Sequence, residues 1–503
     1  MSSIHPFFSD AMEPATPPLA MSSTLDPYRY RKLTDSDAIR LIILQPSLDS
    51  VDPIQCELIH TSLTECEEDI IDHYTAISYV WGDPDDTREI LVDDGKILNI
   101  TATLDSALRQ IRPWNRSIRL WADAICINQA NVEERNLQVR QMGAIYACAL
   151  HTIIYFGSST PEVELFLEIL RTSSATSRKA SSRSPPPSLS ISNFGDSFRK
   201  SALKYLLEQP WLTRIWVLQE MVFSQNPWIQ CGRARTRWED FCKLIKETEP
   251  PAEPAPQPQL PIRKSLVDVG SHNHRLKTGS QLSENKYSKG WELLLKMSKF
   301  RTMFYDQATW SSYGHGLLLE ILKSRRGLGV TDPRDMLFAH TNISRTAEVW
   351  EKYRDLIQVD YNKSCLEVYE RLAIYFIRQL NDFSILSAVE DVGLESRRPG
   401  IVSWAPDWTC AMPPLPWVEL GSSLGKENFP GNKSWSYLSG SLVWLRSQHL
   451  VKRWLTSSDM TRVWFPSILS CVGVELAMIG GMSEVITWPL SYFDVKKFLN
   501  EKM

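Results

Sequence analysis

Three short segments constrain this chain more than any other feature: Tyr74 to Asp83 (YTAISYVWGD), Leu120 to Gln129 (LWADAICINQ) and Arg214 to Glu220 (RIWVLQE). The first two start as an alternating or apolar β-forming run and finish in polar groups. A central strand delivers side chains to the carboxyl edge of a sheet in that way, and ligands of open α/β sheets bind at that edge. The third segment is helix-permissive. Trp216 and Glu220 stand four residues apart in it, a spacing that puts a ring and a carboxylate on one helix face and along one wall.

The neighbouring pattern supplies the rest of an α/β unit. Residues 39–44 and 55–61 read as strands, 74–81 as a central strand, and 89–100 as a hairpin turned at Asp94 and Gly95. A helix follows from Thr103 to about Ile111, then a second buried strand from Ile118 to Ile127. Asn131 caps a helix running to Cys148, and His151 to Phe156 forms a third core strand. Alternation of this kind predicts a mostly parallel, doubly wound sheet of the flavodoxin type with an antiparallel elaboration near its start.

Composition breaks divide the chain. Residues 1–35 read as a disordered tail without the apolar core of a secretory signal. Residues 36–248 form the α/β domain, interrupted at 173–192 by a Ser-, Arg- and Pro-rich stretch too polar to bury, expected to be a mobile loop. A Pro-rich polar linker at 249–285 then leads to a helical C-terminal region, 286–503, with helices expected at Trp291 to Phe300, Gly316 to Ser324 and Leu366 to Leu380. Val463 to Met482 is nearly apolar, but Glu475, Pro466, Gly480 and Gly481 favour a buried helix over a membrane span.

Several function classes lose support. A net charge of −4 gives no basic field for a nucleic acid. Nine scattered cysteines without a CxxC pair point to a reducing compartment, with neither a disulfide framework nor a zinc ribbon. His272 and His274 lack companions for a metal site, and no metal is expected. The dinucleotide GxGxxG and the phosphate-binding GxxxxGK[ST] patterns are both missing.

Candidate site residues follow from chemistry. Trp81, Gly82 and Asp83 (in WGDP) join a ring, a flexible glycine and a carboxylate, suited to a loop closing over a planar ligand or to a tryptophan plugging its own core. Ser78 faces up from the strand, where such a serine often satisfies only a neighbouring backbone group. Asp123 interrupts an apolar run and needs a partner: a substrate hydroxyl, an arginine such as Arg135 or Arg140, or a backbone amide. The amides of Asn128 and Gln129 fit a nucleobase edge or a turn. Glu220, held beside Trp216, is the best catalytic candidate, unless Arg214 ties it into an ion pair.

In this order the three segments resemble the heterokaryon incompatibility (HET) domain of filamentous fungi. The resemblance covers roughly residues 40–241 and continues weakly through TDPRDMLF (331–338) and IVSWAPDW (401–408); after about Ser447 the chain departs from it. HET domains are in turn remotely similar to TIR domains, several of which cleave NAD with a glutamate four residues after a tryptophan. Trp216 to Glu220 (WVLQE) fits that spacing. The resemblance implies Glu220 as catalytic residue, Trp216 as pocket wall, and NAD as substrate with no resident cofactor. It implies a cytoplasmic effector of fungal non-self recognition that triggers cell death. Its partners would be proteins of incompatibility signalling, with self-association as a further expectation. The competing expectation is a noncatalytic signalling or scaffold module. The enzyme reading requires Glu220, Trp216, Ser78 and Asp123 to converge on one open cleft.

Overall fold

The computed structural model describes residues 26–410, apart from residue 70 and residues 180–194, 249–278, 307–316, 345–346, 381–383 and 390–396, together with 461–464 and 468–471. Nine strands make one sheet: β1 (Ala38–Leu44), β2 (Gln55–Ser62), β3 (Thr75–Ser78), β4 (Thr87–Val92), β5 (Lys96–Thr101), β6 (Ile118–Trp121), β7 (His151–Tyr155), β8 (Pro227–Cys231) and β9 (Ala234–Arg237). Their spatial order is β5-β4-β2-β1-β6-β3-β7-β8-β9.

The sheet is mixed. The parallel block is β6-β3-β7-β8. Antiparallel pairs β1–β2, β1–β6, β4–β5 and β8–β9 flank it, with one short parallel contact between β2 and β4. The expected mostly parallel sheet is therefore corrected: the antiparallel part is two wings, because β1–β2 and β8–β9 are each joined by connections too short for a crossover. Within the parallel block β3 is first in the chain, β6 second, β7 third and β8 fourth. The order reverses between β3 and β7, the kind of crevice where doubly wound sheets bind ligands. Burial of these strands is nearly continuous, as central strands require.

Helices α1 (Leu63–Glu68), α2 (Ala102–Ile111), α3 (Asp123–Cys126), α4 (Val132–Cys148), α5 (Pro161–Lys179), α6 (Asp196–Leu207), α7 (Val217–Phe223) and α8 (Trp238–Glu247) alternate with the strands. Their starts follow local chemistry. Ser62 and Glu65 form a reciprocal capping box on α1, and the Asn131 side chain accepts from Glu134 N at 3.1 Å at the start of α4. The expected strand from Ile118 to Ile127 stops at Trp121 and turns into α3, so Asp123 opens a helix instead of interrupting a strand. The mobile loop expected from Ser173 is corrected over its first residues, since α5 continues to Lys179; residues 180–192 lie outside the described residues.

Downstream, α9 (Gly279–Tyr305), α10 (Leu317–Arg325), α11 (Asp335–Phe338), α12 (Ala347–Ile357) and α13 (Cys365–Leu380) carry the helical pattern expected there. They do not form a core apart. One apolar cluster joins Ile39, Ile77, Leu120 and Trp121 to Leu322, Phe338, Leu372 and Trp408; a second joins Phe166, Trp211, Leu218 and Phe241 to Trp291, Leu294 and Ile321. Residues 461–464 and 468–471 form an antiparallel pair, β10 (Thr461–Trp464) and β11 (Ile468–Cys471), where a buried helix was expected from Val463. The remainder of that apolar stretch lies outside the described residues, as does the Pro-rich segment 249–278.

Candidate functional site

At the carboxyl end of β3 the chain places Ser78, 1 % exposed, directly beneath α7. Its hydroxyl donates to Glu220 Oε2 and accepts from the indole of Trp211 at 2.7 Å. The sequence reading, in which such a serine serves only the backbone, is thereby overturned: a carboxylate and an indole both need a partner here, and Ser78 supplies one to each. Glu220 is 1 % exposed. Arg214 lies 3.7 Å from its Oε1 and also donates to the carbonyl of Tyr79. The Arg214 side chain keeps 18 % of its exposure against 2 % for Glu220, so the guanidinium is the outer member of the pair.

Burial pushes the Glu220 carboxyl up to about 7, outweighing the attraction of Arg214 and the hydrogen bond from Ser78. For Arg214, burial opposes the charge, but Glu220 and Asp123 more than offset it and hold the guanidinium ionised. The buried phenols of Tyr79 and Tyr146 are raised well above their ordinary value, mainly by burial and then by these carboxylates. Tyr146 donates to Ile77 O at 3.2 Å, and the buried Tyr79 hydroxyl lies against the Asp123 carboxylate. Acid, base and phenols thus share one poorly solvated pocket of charge at the sheet edge.

Asp123 completes the outer layer. Its Oδ2 accepts from the Trp81 indole at 2.8 Å and its Oδ1 from Ala124 N at 2.8 Å. The partners are an indole and a backbone amide; the arginines suggested by sequence are engaged elsewhere, Arg140 with Val359 O and Arg135 over the Tyr361 ring. Trp81 is 39 % exposed, which excludes a core plug, and Gly82 takes a φ of 79° with no room for a Cβ against Thr103 Oγ1. Asp83 is exposed. Gln129 donates to Asp123 O at 3.0 Å, and Asn128 N to Glu134 at 2.7 Å, so both hold the loop after α3.

Trp216 departs from the expected arrangement. It is the N-cap of α7, and its indole turns to Asp335 Oδ2 at 3.1 Å, in α11. Ring and carboxylate therefore do not line one wall. The acid that receives Trp216 is half-buried, accepts from Tyr361 at 2.6 Å, and is pushed up to about 6, mainly by desolvation. Trp211, Tyr79, Tyr146 and Asp335 were missed in the sequence. Trp211 sits three residues before Arg214 and reads as an ordinary core ring, while Asp335 lies within TDPRDMLF, a segment noted for its resemblance but given no role.

Downstream side chains fix the third segment from behind. Arg325 Nη2 donates to Arg214 O at 2.5 Å, Gly329 N to Thr213 O at 3.2 Å, and Arg301 Nη1 to Met221 O at 2.7 Å and Ser224 O at 2.5 Å. Among the described residues no His/Cys/Asp/Glu group could hold a metal, and no helix is long and apolar enough to cross a membrane.

Residues 74–220, which carry all three segments, match the family described as Heterokaryon incompatibility protein (HET). The stretch runs from Tyr74, ahead of β3, to Glu220 itself. Among curated proteins the chain is similar to "Heterokaryon incompatibility protein 6, OR allele" of Neurospora crassa, 33% identical over 147 residues, or 27% of this chain and 21% of that protein. The match thus spans about a fifth of the relative's length. No solved structure matches the chain.

Proposed function

We propose that this chain is an effector of fungal heterokaryon incompatibility, and that its HET domain triggers cell death through a TIR-like cleavage of NAD centred on Glu220. The observation that carries the reading is the Ser78–Glu220–Arg214 cluster, assembled at the carboxyl edge of β3 from segments more than a hundred residues apart. A carboxyl whose pKa is near 7 can hold a ribose hydroxyl as acceptor or face a cationic anomeric carbon once ionised. The bond broken would join nicotinamide to ribose, with water taking the place of the departing neutral nicotinamide. The strand order 2-1-3-4 of the parallel block is compatible with a TIR-like sheet.

With Glu220 2 % exposed, the cluster as it stands is closed, and a substrate reaches the carboxylate only when Arg214 moves aside. That occlusion favours a second reading, a noncatalytic module acting by self-association or by binding partners of incompatibility signalling. One experiment separates the two. Wild type and Glu220→Gln are expressed in a fungal host, with cellular NAD and viability followed together. NAD loss and death that both vanish in Glu220→Gln support cleavage; death that persists in the folded variant with NAD intact supports the module.

A further inference from the structure

On the opposite wing of the sheet, a cavity of about 780 Å³ opens between the segment ahead of β1, strand β2 and the β4–β5 turn. At least three strand spacings, roughly 14 Å, separate it from β3, so it is not part of the Glu220 cluster. Six charged side chains line it: Arg29 and Arg31 from the leading segment, Glu57 from β2, and Asp93, Asp94 and Lys96 from the turn. Three are cations and three are anions, yet none of them forms an ion pair among the described residues.

Two features show that the cavity is built into the fold. Asp93 is the only described non-glycine residue with positive φ, 45°, and its Oδ1 is spent on Leu58 N at 2.9 Å while its own N–H binds Cys56 O at 3.0 Å. The turn is thereby pinned against β2 in a conformation that a β-carbon disfavours. Tyr28 is held by main-chain pairing with β5, Tyr28 N to Ile97 O at 2.7 Å, and is 9 % exposed. Its hydroxyl is buried without a hydrogen-bond partner, although Asp93 is close enough to act on it electrostatically. Leaving such a hydroxyl unpaired is unfavourable, and a bound polar group in the cavity would supply its partner.

We propose that this cavity is a binding site for a small zwitterion of amino-acid or dipeptide size, its carboxylate taken by Arg29 and Arg31 and its ammonium by Asp94 and Glu57. The volume falls within the range of small-molecule sites, about 300–1,000 Å³. A simple anion would meet the three carboxylates of the lining and a simple cation its three cations; a molecule carrying both charges finds a complement for each. A free-ended peptide has both charges a few bonds apart.

The test is calorimetric titration of the full chain with alanyl-alanine, N-acetyl-alanyl-alanine and alanyl-alanine amide. Saturable binding of the free dipeptide is expected, weakened about tenfold or more when either end is blocked. Arg31→Gln should abolish the preference for a free carboxylate and Asp94→Asn that for a free ammonium. Both side chains are exposed and make no ion pair, so neither change endangers folding. Glu220→Gln should bind as wild type does. The proposal is overturned by no saturable heat up to about 10 mM, a limit set by the weakest useful affinities. Equal binding of the blocked forms, or unchanged selectivity in both variants, would overturn it as well.

Discussion

Glu220→Gln offers a direct measure of what the buried cluster costs the fold. Raising the carboxyl from 4.5 to about 7, at about 1.4 kcal/mol per unit, corresponds to roughly 3 kcal/mol. The sign follows from the direction. With its folded pKa above its unfolded one, the group's favourable contribution is complete below pH 4.5. It is lost as the pH rises and is gone once the pH passes about 7. Glutamine keeps the shape and can still accept from Ser78, but it does not titrate. Arg214 loses a counter-ion yet retains the Tyr79 carbonyl and some solvent. Urea unfolding of both proteins from pH 4 to 8.5 should therefore show wild type falling relative to the variant by about 3 kcal/mol, most of it between pH 4.5 and 7. Asp335, raised in the same direction, is present in both and cancels. Parallel profiles would refute the burial argument, and a variant that loses ground as pH rises would show Arg214 holding Glu220 ionised.

Other substitutions test the frame around the cluster. Trp216→Phe removes a donor from half-buried Asp335 and should cost about 1–2 kcal/mol in denaturant unfolding. Arg40→Met strands Glu134 beside a fully buried position, where the pair now sits at 2.5 Å; a loss of about 3–5 kcal/mol is expected, with partial recovery on adding Glu134→Gln. Gly82→Ala forces a β-carbon into a φ of 79° against Thr103 and should lower stability by about 1–3 kcal/mol.

The parts of the fold written locally were legible. Periodicity located β3, β7, α4 and α13, and the Asn131 cap was readable from its chemistry. The turn into α3 was not, because LWADAICI is apolar throughout and such a run does not distinguish strand from helix. Glu220 stood out as a carboxyl within an apolar segment. The direction of Trp216 did not, since a face shared on a helical wheel says nothing about which neighbour lies outside that face, and here Asp335, 119 residues away, draws the indole off. Long-range pairings leave no local trace, which is also why the antiparallel wings were read as a small elaboration.

The two arginines behind the third segment carry a practical consequence. Excising the stretch that ends at Glu247 would strip Arg301 and Arg325 from the carbonyls of Arg214, Met221 and Ser224, and remove the carboxylate that steadies Trp216. Trimmed to its sequence signature, the protein would surrender the scaffolding that aims Glu220 at Ser78. Whoever clones it for assay has reason to carry the gene through Cys410.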